Sequence, residues 1–247
     1  MSRYVATDWH GNYAICTQIL NYLKEDDELY FLGDAIDRGP NGVPVMLSLL
    51  KDKRVTYLKG NHEDMMIESV PFLMEGRSGD AYWWFNNGGQ ETWKGLEKVS
   101  DETKMEFCRK ISKMPERVDL TTADGKTIIL SHAGCDPWVT DEWARLWGIK
   151  DRYIWDRKHI HSSPMDFKED EWKNTYVIHG HTPVLCSEFC GDPDVTLPGH
   201  EKVKAITYAD GHKICLDLCT IITKEAVLFN LDTFEEIYFT EEGIREE

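Results

Sequence analysis

The sequence predicts an α/β fold, and three observations carry that expectation. Short apolar runs at residues 3–8, 29–32 and 55–59 alternate with segments of helical periodicity, which is the βαβα pattern of a largely parallel sheet. From Pro115 onward the pattern shifts toward period two, as antiparallel strands require. Each early apolar run ends in Asp, Asn or His beside Gly, and open α/β sheets bind ligands at the carboxyl ends of their strands.

Taken in order, residues 3–8 form a first strand that runs into Asp8-Trp9-His10-Gly11. Asp8 and His10 are two apart, so on an extended backbone their side chains share a face, the geometry of a metal chelate. A helix is expected from Asn12, an acceptable N-cap, with Ala14, Ile15, Ile19, Leu20 and Leu23 near helical spacing. The second strand, Leu29 to Leu32, exits into Gly33-Asp34-Ala35-Ile36-Asp37-Arg38-Gly39-Pro40. A helix over 42–51 follows, then a third strand, 55–59, that exits into Gly60-Asn61-His62-Glu63. A lone Asn-His after a strand is ordinarily a turn with a helix cap. Three successive exits carrying DxH, GDxxD and GNHE form a much stronger signal.

Residues 63–112 read as mostly helical, with a Gly/Asp break at 76–80 and a turn at Asn86 to Gly89. Five aromatics between Ala81 and Trp93 are expected to pack helices on the sheet, since large aromatics dominate core burial. Residues 100–113 form an amphipathic helix capped by Ser100 or Asp101. Residues 116–122 and 126–130 form a hairpin through Asp124-Gly125, and its second strand exits into Ser131-His132. A short helix is expected over 141–148, exposed loops over 162–173 and 186–202, and a strand over 176–178 leading to His179-Gly180-His181. The remainder should supply antiparallel strands of a second sheet, ending in a frayed tail at 241–247. We expect residues 1–247 to form one domain.

Composition narrows the partners. Against 28 Lys and Arg stand 44 Asp and Glu, a net charge of −16 without a basic cluster, which disfavours nucleic acid and anionic membrane. No apolar run approaches the roughly 20 residues that span a bilayer, and the N-terminus lacks a signal-peptide layout, so a cytoplasmic protein is expected. The seven cysteines are scattered, and Cys186 and Cys190 lack a second pair at zinc-ligand spacing, so free thiols are expected. Nothing in the sequence bears on oligomeric state.

The strand-exit groups Asp8, His10, Asp34, Asn61, His132 and His181 offer six nitrogen and oxygen donors and no sulfur. That set suits borderline or hard divalent ions and is too large for one tetrahedral zinc. Two ions about 3.5 to 4 Å apart, sharing a carboxylate and a water, are a recurrent device for hydrolysing phosphate esters. Asp34, on the middle strand, is the natural shared ligand. His62 follows a ligand and so points elsewhere; with Asp37 orienting it, it could protonate a leaving alkoxide. Arg38 and Arg157 could grip phosphoryl oxygens with forked, charge-assisted hydrogen bonds. His179 is the alternative to His181, while His159, His161, His200 and His212 read as surface or core histidines. Arg152 reads as a surface ion pair, and Asp217 is either structural or a support to the ligands.

In combination, Asp8-x-His10-Gly11, GDxxDRG at 33–39, Gly60-Asn61-His62-Glu63, His132-Ala133 and Gly180-His181-Thr182 resemble the PPP-type serine/threonine phosphatases among the calcineurin-like metallophosphoesterases. NHEDMMI, FNNGG and IWDR are similar to their bacterial and phage branch, and the resemblance runs from Asp8 to about Asp217. It implies two mixed β-sheets in a sandwich flanked by helices. It implies one metal on Asp8, His10 and Asp34 and a second on Asp34, Asn61, His132 and His181, with manganese first among Mn, Fe, Zn, Ni and Co. It implies His62 as general acid supported by Asp37, Arg38 and Arg157 on the phosphate, a metal-bridging hydroxide as nucleophile, and phosphoserine or phosphothreonine proteins, with phosphotyrosine also in range, as substrates. Relatives with similar motifs hydrolyse diadenosine polyphosphates, and an inactive metal-binding scaffold is the reading from another class. Intact Asp37 and Glu63 lean toward protein substrates. Two positions depart from the family: Thr7 and Cys219 stand where it usually has glycine.

Overall fold

A computed structural model describes residues 1–136, 139–146, 148, 151–161, 168–170, 172–186 and 202–245. The loop expected at 186–202, apart from its two ends, most of that at 162–173, Cys190, His200 and the last two residues lie outside the described residues. The chain begins as its periodicity dictates. Strand β1 (Arg3–Ala6) leads to α1 (Tyr13–Tyr22), β2 (Glu28–Phe31), α2 (Gly42–Lys51) and β3 (Val55–Tyr57). Asn12 caps α1, its side-chain oxygen accepting from Ile15 N at 3.1 Å. Helix α3 (Asn61–Met74) follows, then α4 (Tyr82–Asn86), α5 (Gly89–Leu96) and α6 (Asp101–Ile111), the last capped by the Ser100 hydroxyl.

The hairpin is β4 (Arg117–Thr121) with β5 (Thr127–Ser131). After α7 (Asp141–Leu146) come β6 (Thr175–His179), β7 (Ile206–Tyr208), β8 (Lys213–Cys215), the short α8 (Thr220–Thr223), β9 (Glu225–Asn230), β10 (Glu236–Thr240) and β11 (Gly243–Ile244). Two mixed sheets result. One runs β11-β10-β9-β1-β2-β3, with β1, β2 and β3 parallel. The other runs β4-β5-β6-β8-β7, with β5, β6 and β8 parallel.

Two expectations are corrected here. The C-terminal strands do not all build a second sheet. β7 and β8 extend the sheet begun by β4, β5 and β6, whereas β9 returns to pair antiparallel with β1. Nor does the tail fray from residue 241. β11 pairs with β10, and the Arg245 guanidinium reaches Glu225 at 2.5 Å.

Strand alternation divides the core. Tyr4 and Ala6 of β1 and Ala226 and Leu228 of β9 face the layer filled by α1, α2 and α3, with Trp9, Phe31 and Met46. Val5, Val227 and Phe229 face the other sheet, meeting Ile128, Leu130, Ile178 and Ile214. Of the five aromatics expected to pack helices on the sheet, Trp84, Phe85 and Trp93 join the helical layer of this core and two do not. Trp84 is fully buried, but Tyr82 and Trp83 stand 68% and 62% exposed because α4 is a single short turn presenting one face inward.

Behind the second sheet lies a buried polar cluster. The Gly180 carbonyl can only accept, so His179 Nδ1 carries its proton (2.9 Å) and leaves Nε2 to accept from Tyr208 Oη at 2.8 Å. Tyr208 Oη must then accept from His159 Nε2 at 3.1 Å. Lys213, wholly buried, pairs with Asp136 at 2.7 Å and bonds the His159 carbonyl. Arg152, expected in a surface ion pair, is half-buried against the Tyr153 ring.

Burial pushes the His179 ring down to about 3. Its folded value is depressed, so its contribution to stability is complete above the unfolded value near 6.5 and is lost as pH falls toward 3. Chemical denaturation across that window should show His179→Gln, which cannot charge, losing less stability on acidification than the parent. Parallel acid profiles for the two proteins would contradict this.

Candidate active site

The chain leaves its strands through left-handed residues. Asp8, His10 and Asp34 have φ of 56°, 42° and 59°, and Asp37, Arg38 and His181 have 70°, 63° and 65°. Each such non-glycine residue costs about 1–3 kcal/mol and persists only where its surroundings over-determine it. This corrects the extended geometry expected for Asp8 and His10. A turn brings them together, in which His10 N donates to Asp34 O at 3.0 Å and Gly11 N to Ala35 O at 2.8 Å.

Strand exits from both sheets converge on Asp34. Asp8, His10 and Asp34 come from the first sheet, with Asn61 at the start of α3; His132 and His181 follow β5 and β6 of the second. All six are buried. Asp34 Oδ2 lies 3.6 Å from His10 Nε2 and 3.5 Å from His132 Nε2. Asp8, Asp34 and His132 place donor atoms within 4.8 Å of one another, as do His10, Asp34 and His62, so Asp34 belongs to both groups. Asn61 Oδ1 sits 2.8 Å from His132 Nε2 and 2.9 Å from His181 Nδ1. His10 and His132 each donate Nδ1–H to a backbone carbonyl, of Ile36 and Leu32, which fixes the ring and turns Nε2 inward.

His62 does not point away, as its position in the chain suggested. Its Nε2 lies 3.7 Å from Asp34 Oδ2, while Nδ1 bonds Asp37 Oδ2 at 2.7 Å. Sequence reasoning missed what holds Asp37. Trp84 Nε1 donates to Oδ2 at 2.7 Å and the Thr92 hydroxyl to Oδ1 at 2.6 Å, both from helices some fifty residues downstream. Glu63 was singled out in the sequence but not its role: its buried carboxylate accepts from Asp34 N, Ala35 N, Gly60 N and the Tyr57 hydroxyl at 2.8 to 3.0 Å. A Glu three residues past a helix start was the available signal. Gly60 is obligatory beside it, because a Cβ there would stand 2.3 Å from Asp34 Oδ1.

Both arginines border the cluster. Arg38 contacts His10 Nε2 at 2.7 Å and His62 Nε2 at 3.1 Å, and Arg157 donates to the Thr182 hydroxyl at 3.2 Å. His179, the alternative to His181, turns away to Tyr208. Asp217 is buried and accepts from Cys219 N at 2.8 Å, close enough for its charge to act on Asp8. Cys219 has φ 60°, which explains why a glycine suits that position.

The calcineurin-like phosphoesterase family model matches residues 1–213. Serine/threonine-protein phosphatase 2 of Escherichia coli is 30% identical over 133 residues, which is 53% of this chain and 57% of that protein's length. The bis(5'-nucleosyl)-tetraphosphatase of Anoxybacillus flavithermus is 26% identical over 201 residues, 72% of this chain and 77% of its own. A solved cold-active protein tyrosine phosphatase has the same fold, with a TM-score of 0.60 at 15% identity, covering 99% of this chain and 78% of the other.

The donor set fits divalent cations. Burial, then the charges of Asp217 and Asp8 respectively, hold the Asp8 and Asp34 carboxyls well above the usual carboxylate range. Burial likewise pushes Asp217 up to about 6 and lowers His10, His132 and His181, which favours the neutral rings that bind metals. His181 Nε2 is buried without a hydrogen-bond partner among the described residues. Raised carboxyls mean that the metal-free protein loses stability as pH rises through and above the ordinary carboxylate range, and a bound cation removes that cost. Adding manganese to metal-stripped protein at neutral pH should therefore raise its melting temperature, with about 2.7 kcal/mol gained per site at a hundredfold excess over Kd. Asp34→Asn should abolish most of the rise. An unchanged melting curve for the parent would contradict the fit.

Proposed function

The chain belongs to the calcineurin-like phosphoesterase family, and on that premise we propose that it is a divalent-metal-dependent phosphomonoesterase acting on phosphoserine and phosphothreonine in proteins. Asp8, His10 and Asp34 would hold one ion and Asp34, Asn61, His132 and His181 a second. Ions held there supply an acidified water as nucleophile and neutralise phosphoryl oxygens. Manganese is the first candidate, although N/O donors of this kind accept several divalent metals.

The chain's own groups do the rest. Arg38, in the turn after β2, and Arg157, in the connection between α7 and β6, bind the phosphoryl oxygens and orient phosphorus for in-line displacement. As the ester P–O bond breaks, His62 Nε2 gives its proton to the departing serine or threonine oxygen. That step needs the ring protonated on both nitrogens, and Asp37, accepting from Nδ1 at 2.7 Å, pairs with the ring's charge and fixes its aim. Trp84 and Thr92 keep that carboxylate from turning. The observation that carries the reading is this buried dyad facing Asp34 across 3.7 Å, because a site that only stored metal would have no use for an oriented proton donor.

Hydrolysis of dinucleoside polyphosphates is the second reading, favoured by the coverage of the Anoxybacillus relative. Phosphate release from phosphopeptides, measured beside product analysis of a diadenosine tetraphosphate digest with added manganese, separates the two. The proposal expects peptide dephosphorylation to dominate, and nucleotide products alone would overturn it. His62→Asn should lose about 10²–10⁴-fold in turnover while retaining bound metal. Unchanged turnover in that variant would contradict the assigned acid, and no phosphate release by the parent from any substrate would favour a scaffold.

A further inference from the structure

Thr7 stands immediately before Asp8, where the resemblance leads one to expect glycine, and it is 3% exposed. Its hydroxyl donates to Asp8 Oδ2 at 2.5 Å, and the backbone N–H of His181 donates to the same oxygen at 3.2 Å. Gly180 closes the remaining side. A Cβ there would lie 1.9 Å from Asp8 Oδ2 and 2.6 Å from both the methyl and the hydroxyl of Thr7. Asp8 Oδ2 is thus enclosed by Thr7, Gly180 and the His181 amide, while Oδ1 lies 3.9 Å from His10 Nε2.

The two oxygens of Asp8 consequently have different jobs. The backbone cannot impose that division, because Asp8 sits in a left-handed turn at φ 56° and not in the ladder of β1, which ends at Ala6. A carboxylate free to rotate about its last torsion could offer a cation either oxygen or both. Two directed donors on one oxygen remove that freedom, and groups that support a metal ligand in this way govern its affinity.

We propose that Thr7 is a positioning residue whose hydroxyl makes Asp8 a one-oxygen ligand and so sets the affinity of the ion shared by Asp8, His10 and Asp34. This rests on the metal-dependent reading above. The methyl of Thr7 occupies space that a Cβ on Gly180 would need, but it is not the active part. The hydroxyl's role and the methyl's are separable, since Thr7→Val keeps the shape and loses the donor, whereas Thr7→Ser keeps the donor and loses the methyl.

The test is calorimetric titration of manganese into metal-stripped parent, Thr7→Val and Thr7→Ser proteins, with far-UV circular dichroism as a check on folding. Thr7→Val should weaken one of two binding steps by about 10- to 100-fold and leave the other unchanged, and Thr7→Ser should bind like the parent. Should Thr7→Val fail to fold, Thr7→Gly serves in its place, with the same weakening expected. Equal binding by the parent and the donor-less variant overturns the role of Thr7, as does weakening in Thr7→Ser alone. A parent that takes up no manganese overturns the metal-dependent reading itself, so the two failures are distinct.

Discussion

The structure depends on one constraint, the burial of the Asp34 carboxylate where the carboxyl ends of two sheets meet. A buried carboxylate is costly unless it is hydrogen-bonded or paired. Here Oδ1 accepts from His62 N at 3.0 Å, and Oδ2 is ringed by the Nε2 atoms of His10, His62 and His132. To bring the chain so close, Gly33 and Gly60 must touch through their backbones, since a Cβ on Gly33 would stand 2.4 Å from Gly60 N. Glu63 then staples the two segments together by accepting from Asp34 N and Gly60 N. Several left-handed residues, and a His181 ring nitrogen without a partner among the described residues, are tolerated around that centre, where local strain serves a site and not the fold.

The same constraint explains why two sheets are needed. The first supplies the carboxylates and leads into His62; the second supplies His132 and His181. Their approach is fixed by backbone bonds, with His132 Nδ1 donating to Leu32 O at 3.0 Å and the Gly180 amide to His132 O at 2.8 Å. The Lys213, His159, Tyr208 and His179 cluster braces the second sheet from behind, and His159 lies two residues from Arg157. Packing, charge and chemistry are therefore one arrangement: Val5 and Leu130 set the spacing of the sheets, and that spacing sets the distances between donors.

Much of this was legible in the sequence because the informative groups are local. Asp8, Asp34 and Asn61 each stand within a few residues of a strand end, and strand ends follow from apolar runs punctuated by glycine. The hairpin at 117–131 followed from its Asp-Gly turn in the same way. What was missed is non-local. No spacing rule links Trp84 and Thr92 to Asp37, which they reach only because α4 and α5 fold back over the turn at 37–39. The left-handed backbone at Asp8 and His10 was invisible because neither is a glycine. The return of β9 to the first sheet was equally hidden, since its alternation suits either sheet and only pairing with β1 decides.

The central claim is that Asp34 is the shared centre of a two-ion site. Anomalous diffraction at the manganese edge from crystals grown with manganese tests it most directly. The account predicts two peaks, one on either side of Asp34, the first adjoining Asp8 and His10 and the second adjoining Asn61, His132 and His181. A single peak, or peaks remote from Asp34, would contradict it.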